Sequence, residues 1–225
     1  MLKENGIKPI CVFDGCHLQA KSDTEVKRGE NKKKNRQMAE EADAQGDTYN
    51  ARKYYSRCLV LRQRMVDLFM DVLKELSIEF VVAPYEADSQ MAYMVKTGIA
   101  DFAISEDSDL IAYGCPKMLL KLDNFGEGME WSFEHFKAME VNVEKDKSLK
   151  SLKFLQALSE EDFSYACAMA GCEYLPNIER IGLKVALKHF DKLKSFSEVM
   201  KFLRTNTVTK DRIPENYEES AHKVA

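Results

Sequence analysis

Acidic residues recur in this sequence where short apolar runs end. The acids at these positions are Asp14, Glu86, Asp88, Asp107 and Asp109. Carboxylates are rarely buried unless a cation or a hydrogen-bond donor pairs with them. The acid pairs at 86/88 and 107/109 have no His or Cys beside them, and an all-oxygen donor set suits Mg²⁺ or Mn²⁺ better than Zn²⁺. The pattern predicts a divalent-metal site.

The spacing within the second acid pair supports this prediction. Asp107 and Asp109 are two residues apart, so an extended backbone sends both side chains the same way. Two divalent ions about 4 Å apart activate water and stabilise the leaving oxygen of a phosphodiester. The alternative for any single acid is a helix N-cap or an Asx-turn. Glu106 is assigned to that alternative, as an outward-facing loop residue.

A basic segment accompanies the acids. Residues 21–36 contain seven Lys or Arg against three Asp or Glu, so the segment carries +4 in a chain whose net charge is −4. Together, a basic segment and an acidic cluster suit a polyanion and its metal ions. A solvated helix face is the alternative interpretation of the charge run.

The elements that must position these residues alternate along the chain. Short apolar runs at 8–15, 78–83, 101–105 and 117–122 predict strands. Residues 23–45 predict an exposed helix or arch, and 49–76 a helix with one apolar stripe. This alternation predicts an α/β fold with a mostly parallel central sheet flanked by helices, whose sites gather at the carboxyl ends of the strands. Residues 133–204 predict short helices, followed by a polar, frayed tail from about Thr205.

Composition removes other classes of protein. The 225 residues include no apolar run of membrane-spanning length, and the N-terminus lacks the apolar core of a signal peptide. None of the six cysteines forms a C-x-x-C pair, which argues against a zinc site and favours reduced thiols. We therefore expect an intracellular protein that does not act at membranes.

Several motifs together resemble the FEN/XPG family of structure-specific 5′ nucleases. The likeness runs from Gly6 to about Pro214 and is carried by "VFDG", "APYEADSQMAYMVKTG", "ISEDSDLIAYG" and "KLDNFGEGMEW". The forms "APYEAD", "KLDNFGEG" and "GDTYNARKYYSRC" are most similar to the exonuclease branch of that family. The resemblance implies a PIN-like nuclease core in 1–132 with a helical arch at about 20–60. A helix-two-turn-helix region is implied in 133–213, and a polar tail in 214–225.

The resemblance also implies roles for individual residues. Two Mg²⁺ ions, replaceable by Mn²⁺, are implied at Asp14, Glu86, Asp88, Asp107, Asp109 and Glu173, with Glu86, Asp107 and Asp109 closest to them. Lys21 and Arg28 match the gateway helix and would act catalytically on the scissile phosphate. DNA contacts are implied at Lys21, Arg28, Gly182, Lys184 and Lys188, with a K⁺ ion at the helix-two-turn-helix. The charge run Lys32, Lys33 and Lys34 is added to the DNA contacts, with a solvated face as its alternative.

Three departures from the family pattern bear on activity. Glu173 stands where the family has Asp, and Glu179-Arg180 replaces Arg-Gly in the helix-two-turn-helix turn. The family's first strand and helical wedge have no counterpart before Gly6, so we expect an exposed sheet edge beside the 9–13 strand. We expect a truncated product or a shortened paralogue, with weak or no activity in the 225 residues themselves.

The leading hypothesis is a Mg²⁺-dependent 5′→3′ DNA exonuclease with 5′ flap endonuclease activity. Its substrate would be double-stranded DNA with a 5′ end, nick or flap, and its setting nuclear mismatch repair and resection with other repair proteins. The alternative is a catalytically impaired DNA-binding paralogue or a fragment of such a nuclease. An RNA-cutting PIN-type nuclease is a third hypothesis, and the helix-two-turn-helix motif argues against it.

Overall fold

The computed structural model describes residues 1–18, 21–141 and 150–224. The chain divides into two compact units. The N-terminal unit is Leu2–Tyr85, and the C-terminal unit is Glu86–Ala225 together with Met1. This division differs from the domain boundary predicted at 132/133, which stays a prediction.

The N-terminal unit contains a two-stranded parallel sheet and three helices. Strand β1 (Ile10–Phe13) pairs with β2 (Glu79–Val82), with Ile10 opposite Glu79 and Phe13 opposite Val82. Both strands lie inside the runs predicted for them. Among the described strands, β1 pairs with β2 alone, so its other edge is unpaired, as expected.

Three helices connect these strands. Helix α1 (Ser22–Ala44) is polar and largely exposed, as predicted, and it packs against α2 (Thr48–Ser56). Helix α3 spans Gln63–Glu75. The single helix predicted over 49–76 is wrong, because the chain is non-helical between α2 and α3. Three consecutive apolar residues at 59–61 cannot continue a stripe that requires spacings of three and four.

The predicted apolar stripe on α3 is present but mostly faces solvent. Leu73 is buried, whereas Met65, Leu68, Phe69, Val72 and Leu76 are each about half exposed or more. Because helices gain most of their stability from burying such a face, α3 depends on the contacts of Leu73 and its neighbourhood with β2.

The C-terminal unit begins with helix α4 (Ala87–Lys96) and a second, mixed sheet. Strand β3 (Ala103–Ile104) is followed by the short helix α5 (Asp109–Ala112) and then by β4 (Lys117–Leu120) and β5 (Met129–Ser132). Strand β4 lies between the other two, parallel to β3 and antiparallel to β5. A small core forms from Ala92, Val95, Ala103, Leu110, Cys115 and Met118.

These strands confirm the predicted α/β class and its parallel pairings, with two corrections. The described strands form two sheets rather than one central sheet. Strand β5 was not predicted, because the "GEGMEW" segment combines glycines with one aromatic residue and lacks a β-branched run.

The rest of the C-terminal unit is helical. Its helices are α6 (Phe133–Ala138), α7 (Lys150–Ala157), α8 (Glu160–Ala170), α9 (Leu183–Leu193), α10 (Phe196–Thr205) and α11 (Tyr217–Val224). The Ser159 side chain caps α8 by accepting a hydrogen bond from the Asp162 amide at 3.0 Å, as its sequence indicates. Within the described part of the chain, no helix combines the length and apolarity needed to span a membrane.

The predicted polar, frayed tail is wrong for residues 217–224. These residues form α11, which packs against α8 and buries Tyr217 and Ala221 in the helical core. Tyr217, Ala221 and Val224 lie four and three residues apart, so one face of a short helix can be buried despite the polar composition.

Candidate metal centre and DNA-contacting residues

Glu86 and Asp88 stand at the start of α4. Glu86 is the N-cap residue, with extended backbone angles (φ −98°, ψ 138°), and Asp88 lies in the first helical turn. The Glu86 side chain makes no capping hydrogen bond to the helix. A role as an ordinary helix cap therefore does not account for this carboxylate, and both side chains are half-buried.

Asp107 and Asp109 follow β3, but not on an extended backbone. Ser108 has helical angles (φ −74°, ψ −11°), and Asp109 is the first residue of α5. The Asp107 carboxylate turns back and accepts a hydrogen bond from the Asp109 amide at 2.9 Å. The expectation that an extended chain sends both side chains the same way is therefore wrong. Asp107 adopts the Asx-turn that was its structural alternative.

Tyr113 contacts both Glu86 and Tyr174. It follows α5 directly, and its hydroxyl donates a hydrogen bond of 3.2 Å to Oε2 of Glu86. The Tyr174 hydroxyl lies 3.3 Å from the Tyr113 hydroxyl. Residues that are 27 and 61 positions from Tyr113 in the chain thus meet at one phenol.

Three further predicted metal acids act electrostatically on Tyr113. Burial raises the pKa of Tyr113 to about 12, and the negative charges of Asp88, Asp109, Cys172 and Glu173 add to this shift. Because the effect of a charge on a pKa declines with distance, these groups lie in the neighbourhood of the hydroxyl. Glu86, Asp88, Asp109 and Glu173 are therefore the predicted metal acids that interact with Tyr113.

Tyr113 and Tyr174 were not among the predicted site residues. Each stands close to a predicted acid, in "SDLIAYG" and in "CEYLP". A tyrosine at the end of a short helix is most often a packing residue, so only its contact with Glu86 distinguishes it.

The candidate ligands are all carboxylates, which are the chemical type of ligand that a hard divalent cation prefers. Within residues 1–18, 21–141 and 150–224, no three Asp, Glu, His or Cys side chains converge closely enough to hold a metal ion. Carboxylates repel one another when no cation lies between them.

Asp14 belongs to the N-terminal unit and is exposed just after β1. The chain that leaves β1 stays bonded to the chain that leaves β2. The Gly15 amide donates to the Tyr85 carbonyl at 2.6 Å, and the Cys16 amide donates to the Pro84 carbonyl at 3.0 Å. The two predicted strand exits of this unit therefore run side by side.

The predicted basic residues lie at the start of α1 and along it. Lys21 is the N-cap residue of α1, and Arg28 lies about two turns further along the helix. Lys21 itself therefore stands just outside the helix that contains Arg28. Lys32 is half-buried, while Lys33 and Lys34 are exposed. The basic residues thus lie in the N-terminal part of α1, and contact with DNA stays a prediction.

The predicted helix-two-turn-helix turn lies between α8 and α9. Gly182 is the N-cap residue of α9, and a Cβ atom added to it would meet nothing within 4 Å. Lys184 and Lys188 are exposed, one turn apart on α9. An open backbone at a helix N-terminus suits phosphate contact.

Arg180 adopts a left-handed backbone conformation in this turn. Its φ is +67°, in the region that favours glycine. Its neighbour Glu179 is paired with Arg180 and, at 3.8 Å, with Arg212. The substitution that departs from the family pattern therefore carries a backbone cost of about 1–2 kcal/mol.

We expect Arg180→Gly to stabilise the protein by about 1 kcal/mol, because glycine removes the left-handed strain and loses some of that gain to chain entropy. Thermal or urea unfolding measures the change. Arg180→Ala is the matched control, since it removes the charge but keeps Cβ, and it should not stabilise. Equal stability of Arg180→Gly and the parent would contradict the account.

Two sequence profiles of one family match the chain. The XPG N-terminal domain matches residues 1–35 and the XPG I-region matches residues 77–173. Exonuclease 1 of Xenopus laevis is 37% identical over 225 residues, covering 97% of this chain and 28% of its own length. The chain thus spans about a quarter of the length of the curated relatives it matches.

Solved structures show the same fold. The catalytic core of Rad2 in complex with DNA substrate has a TM-score of 0.62 at 18% identity, covering 99% of this chain and 60% of that one. Flap endonuclease-1 from Methanococcus jannaschii has a TM-score of 0.56 at 26% identity, with coverages of 97% and 62%. The Holliday junction-resolving enzyme GEN1, with product DNA and a Mg²⁺ ion, has a TM-score of 0.54 at 21% identity, with coverages of 97% and 47%.

The motifs at the strand ends agree with three findings: the matched profiles, the shared fold, and a similarity to exonuclease 1 that extends over nearly the whole chain. The chain belongs to the FEN/XPG family of nucleases.

Proposed function

We propose that the protein is a metal-dependent 5′→3′ DNA exonuclease that also cuts 5′ flaps. Its substrate is double-stranded DNA with a 5′ end, a nick or a flap. The observation that carries this proposal is the Tyr113 hydroxyl, which donates a hydrogen bond to Glu86 and is affected by the charges of Asp88, Asp109 and Glu173. Nucleases of this family use divalent metal ions, and the GEN1 structure contains Mg²⁺ together with product DNA.

We assign four acids as ligands for two Mg²⁺ ions, with Mn²⁺ as a substitute: Glu86, Asp88, Asp109 and Glu173. When bound, such ions supply an activated water and neutralise charge on the phosphodiester. Glu173 keeps the charge of the family's Asp on an arm one methylene longer. The metal roles of Asp14 and Asp107 rest on the family resemblance.

The basic residues of α1 would act on the phosphates. Lys21 and Arg28 place positive charge where negative charge develops during cleavage, which is their proposed catalytic role. Lys32, Lys33 and Lys34 would add sequence-independent attraction to the DNA backbone. The exposed position of α1 in solvent supports these roles.

The turn before α9 would hold the uncut duplex. Gly182 leaves its backbone open to a phosphate, and Lys184 and Lys188 add two positive charges on one helix face. A K⁺ ion at this turn belongs to the same proposal, by resemblance to the family.

The relatives support a proposal about the cellular setting. Exonuclease 1 relatives of this chain come from eukaryotes, among them Xenopus laevis and Oryza sativa. We place the protein in the nucleus, in mismatch repair and end resection, together with other repair proteins.

A DNA-binding protein without catalysis is the competing candidate. The left-handed Arg180 and the negative Glu179 favour it, because both stand in the turn proposed to contact phosphates. The predicted metal acids argue against it, because Glu86 accepts a hydrogen bond from Tyr113 and the charges of Asp88, Asp109 and Glu173 act on the same hydroxyl.

A linear duplex with one blocked 5′ end separates the two candidates. With Mg²⁺, the full gene product should release nucleotides from the free 5′ end only, and EDTA should stop the release. Duplex binding without cleavage, in both Mg²⁺ and Mn²⁺, would establish the competing candidate.

A further inference from the structure

The hydrogen-bond direction at Tyr113 is fixed by its partners. An ionised carboxylate only accepts hydrogen bonds, so the phenol proton of Tyr113 is directed to Oε2 of Glu86 across 3.2 Å. A hydroxyl carries one proton, so Tyr174 must be the donor in its 3.3 Å contact with Tyr113. The chain of donors runs from Tyr174 to Tyr113 to Glu86.

We propose that Tyr113 is a positioning residue for the metal centre: its hydroxyl, held by Tyr174, keeps the Glu86 carboxylate in one orientation for a divalent cation. This inference rests on the proposed function, because it assumes that Glu86 is a metal ligand. Groups that hydrogen-bond to metal ligands fix the orientation of those ligands and strengthen metal binding.

The hydroxyl, rather than the ring, carries the proposal. A phenyl ring would cover the end of α5 equally well, whereas a half-buried hydroxyl must be hydrogen-bonded to offset its loss of water. The Glu86 side chain makes no capping hydrogen bond to α4. The hydrogen bond that it accepts from Tyr113 comes from the segment that directly follows α5.

The test is Mn²⁺ binding to the full chain, measured from the electron paramagnetic resonance signal of free Mn²⁺. Tyr113→Phe removes only the hydroxyl and should weaken Mn²⁺ binding about tenfold. Tyr93→Phe is the matched control, since Tyr93 lies on α4 with its side chain mostly exposed, and it should bind Mn²⁺ like the parent.

A second background separates positioning from general packing. In Glu86→Ala, adding Tyr113→Phe should cause no further loss of Mn²⁺ affinity, because the carboxylate it orients is gone. A further loss of about tenfold in Mn²⁺ affinity in the Glu86→Ala background would overturn the inference. Parent-like Mn²⁺ affinity of the single Tyr113→Phe variant would also overturn it. Neither result would contradict the proposed metal centre itself. Absence of Mn²⁺ binding by the parent chain would overturn the metal centre of the proposed function, and the inference with it.

Discussion

In the full gene product, replacing Asp107 and Asp109 together by Ala is expected to abolish DNA cleavage while DNA binding survives. Asp109 is one of the acids around Tyr113, and the Asp107 carboxylate shapes the turn that presents it. Loss of a catalytic metal ligand should lower the cleavage rate by about a thousandfold or more, equivalent to roughly 4 kcal/mol of transition-state stabilisation. Binding should persist because the basic residues proposed to contact the phosphates, on α1 and α9, are unchanged.

The neighbouring acid provides the control for that variant. Glu106 is exposed on the same loop, one residue from Asp107, and Glu106→Ala should cleave like the parent. Single variants Asp107→Asn and Asp109→Asn divide the roles, since Asn keeps an oxygen for the Asx-turn but removes the charge. Parent-like cleavage by the double variant would refute the metal assignment.

Gly15→Ala should destabilise the protein strongly. An added Cβ would lie 1.8 Å from the Ala83 carbonyl oxygen, so the chain leaving β1 must move away from the chain leaving β2. That movement breaks the bonds from the Gly15 and Cys16 amides to residues 84 and 85 and displaces Asp14. We expect a loss of about 3 kcal/mol in the free energy of unfolding, or roughly 6–12 °C in melting temperature.

A glycine-to-alanine substitution at Gly29 should raise the stability of the protein instead of lowering it. A Cβ added to Gly29, inside α1, would meet nothing within 4 Å. Gly29→Ala should therefore stabilise the helix by about 0.5–1 kcal/mol. Calorimetry of both variants measures the contrast, and a Gly15→Ala protein that melts with the parent would show that the close approach at Ala83 is not required.

The strand ends were predictable because the local signals were strong. β1 and β2 are β-branched apolar runs closed by Asp-Gly and by Pro, so their ends and the acids beyond them could be placed from sequence. Glu86 and Asp88 stand at the start of α4, and Pro84 disfavours helical backbone at the residue before it.

The finer geometry depended on contacts that spacing does not encode. The Asx-turn of Asp107 competes with an extended chain, and only the three-dimensional structure shows which conformation prevails. Tyr113 meets Glu86 and Tyr174 across 27 and 61 positions, a tertiary contact with no local signature. Helix α11 likewise forms because Tyr217 and Ala221 are buried against a distant helix.

The most direct test of the central claim is the position of a bound ion. A crystal of the chain grown with Mn²⁺ should give an anomalous difference peak at about 2.1 Å from carboxylate oxygens of Glu86 and Asp109. A peak at another group of side chains, or no peak beside Glu86 and Asp109 at saturating Mn²⁺, would contradict the claim that these carboxylates form the metal centre.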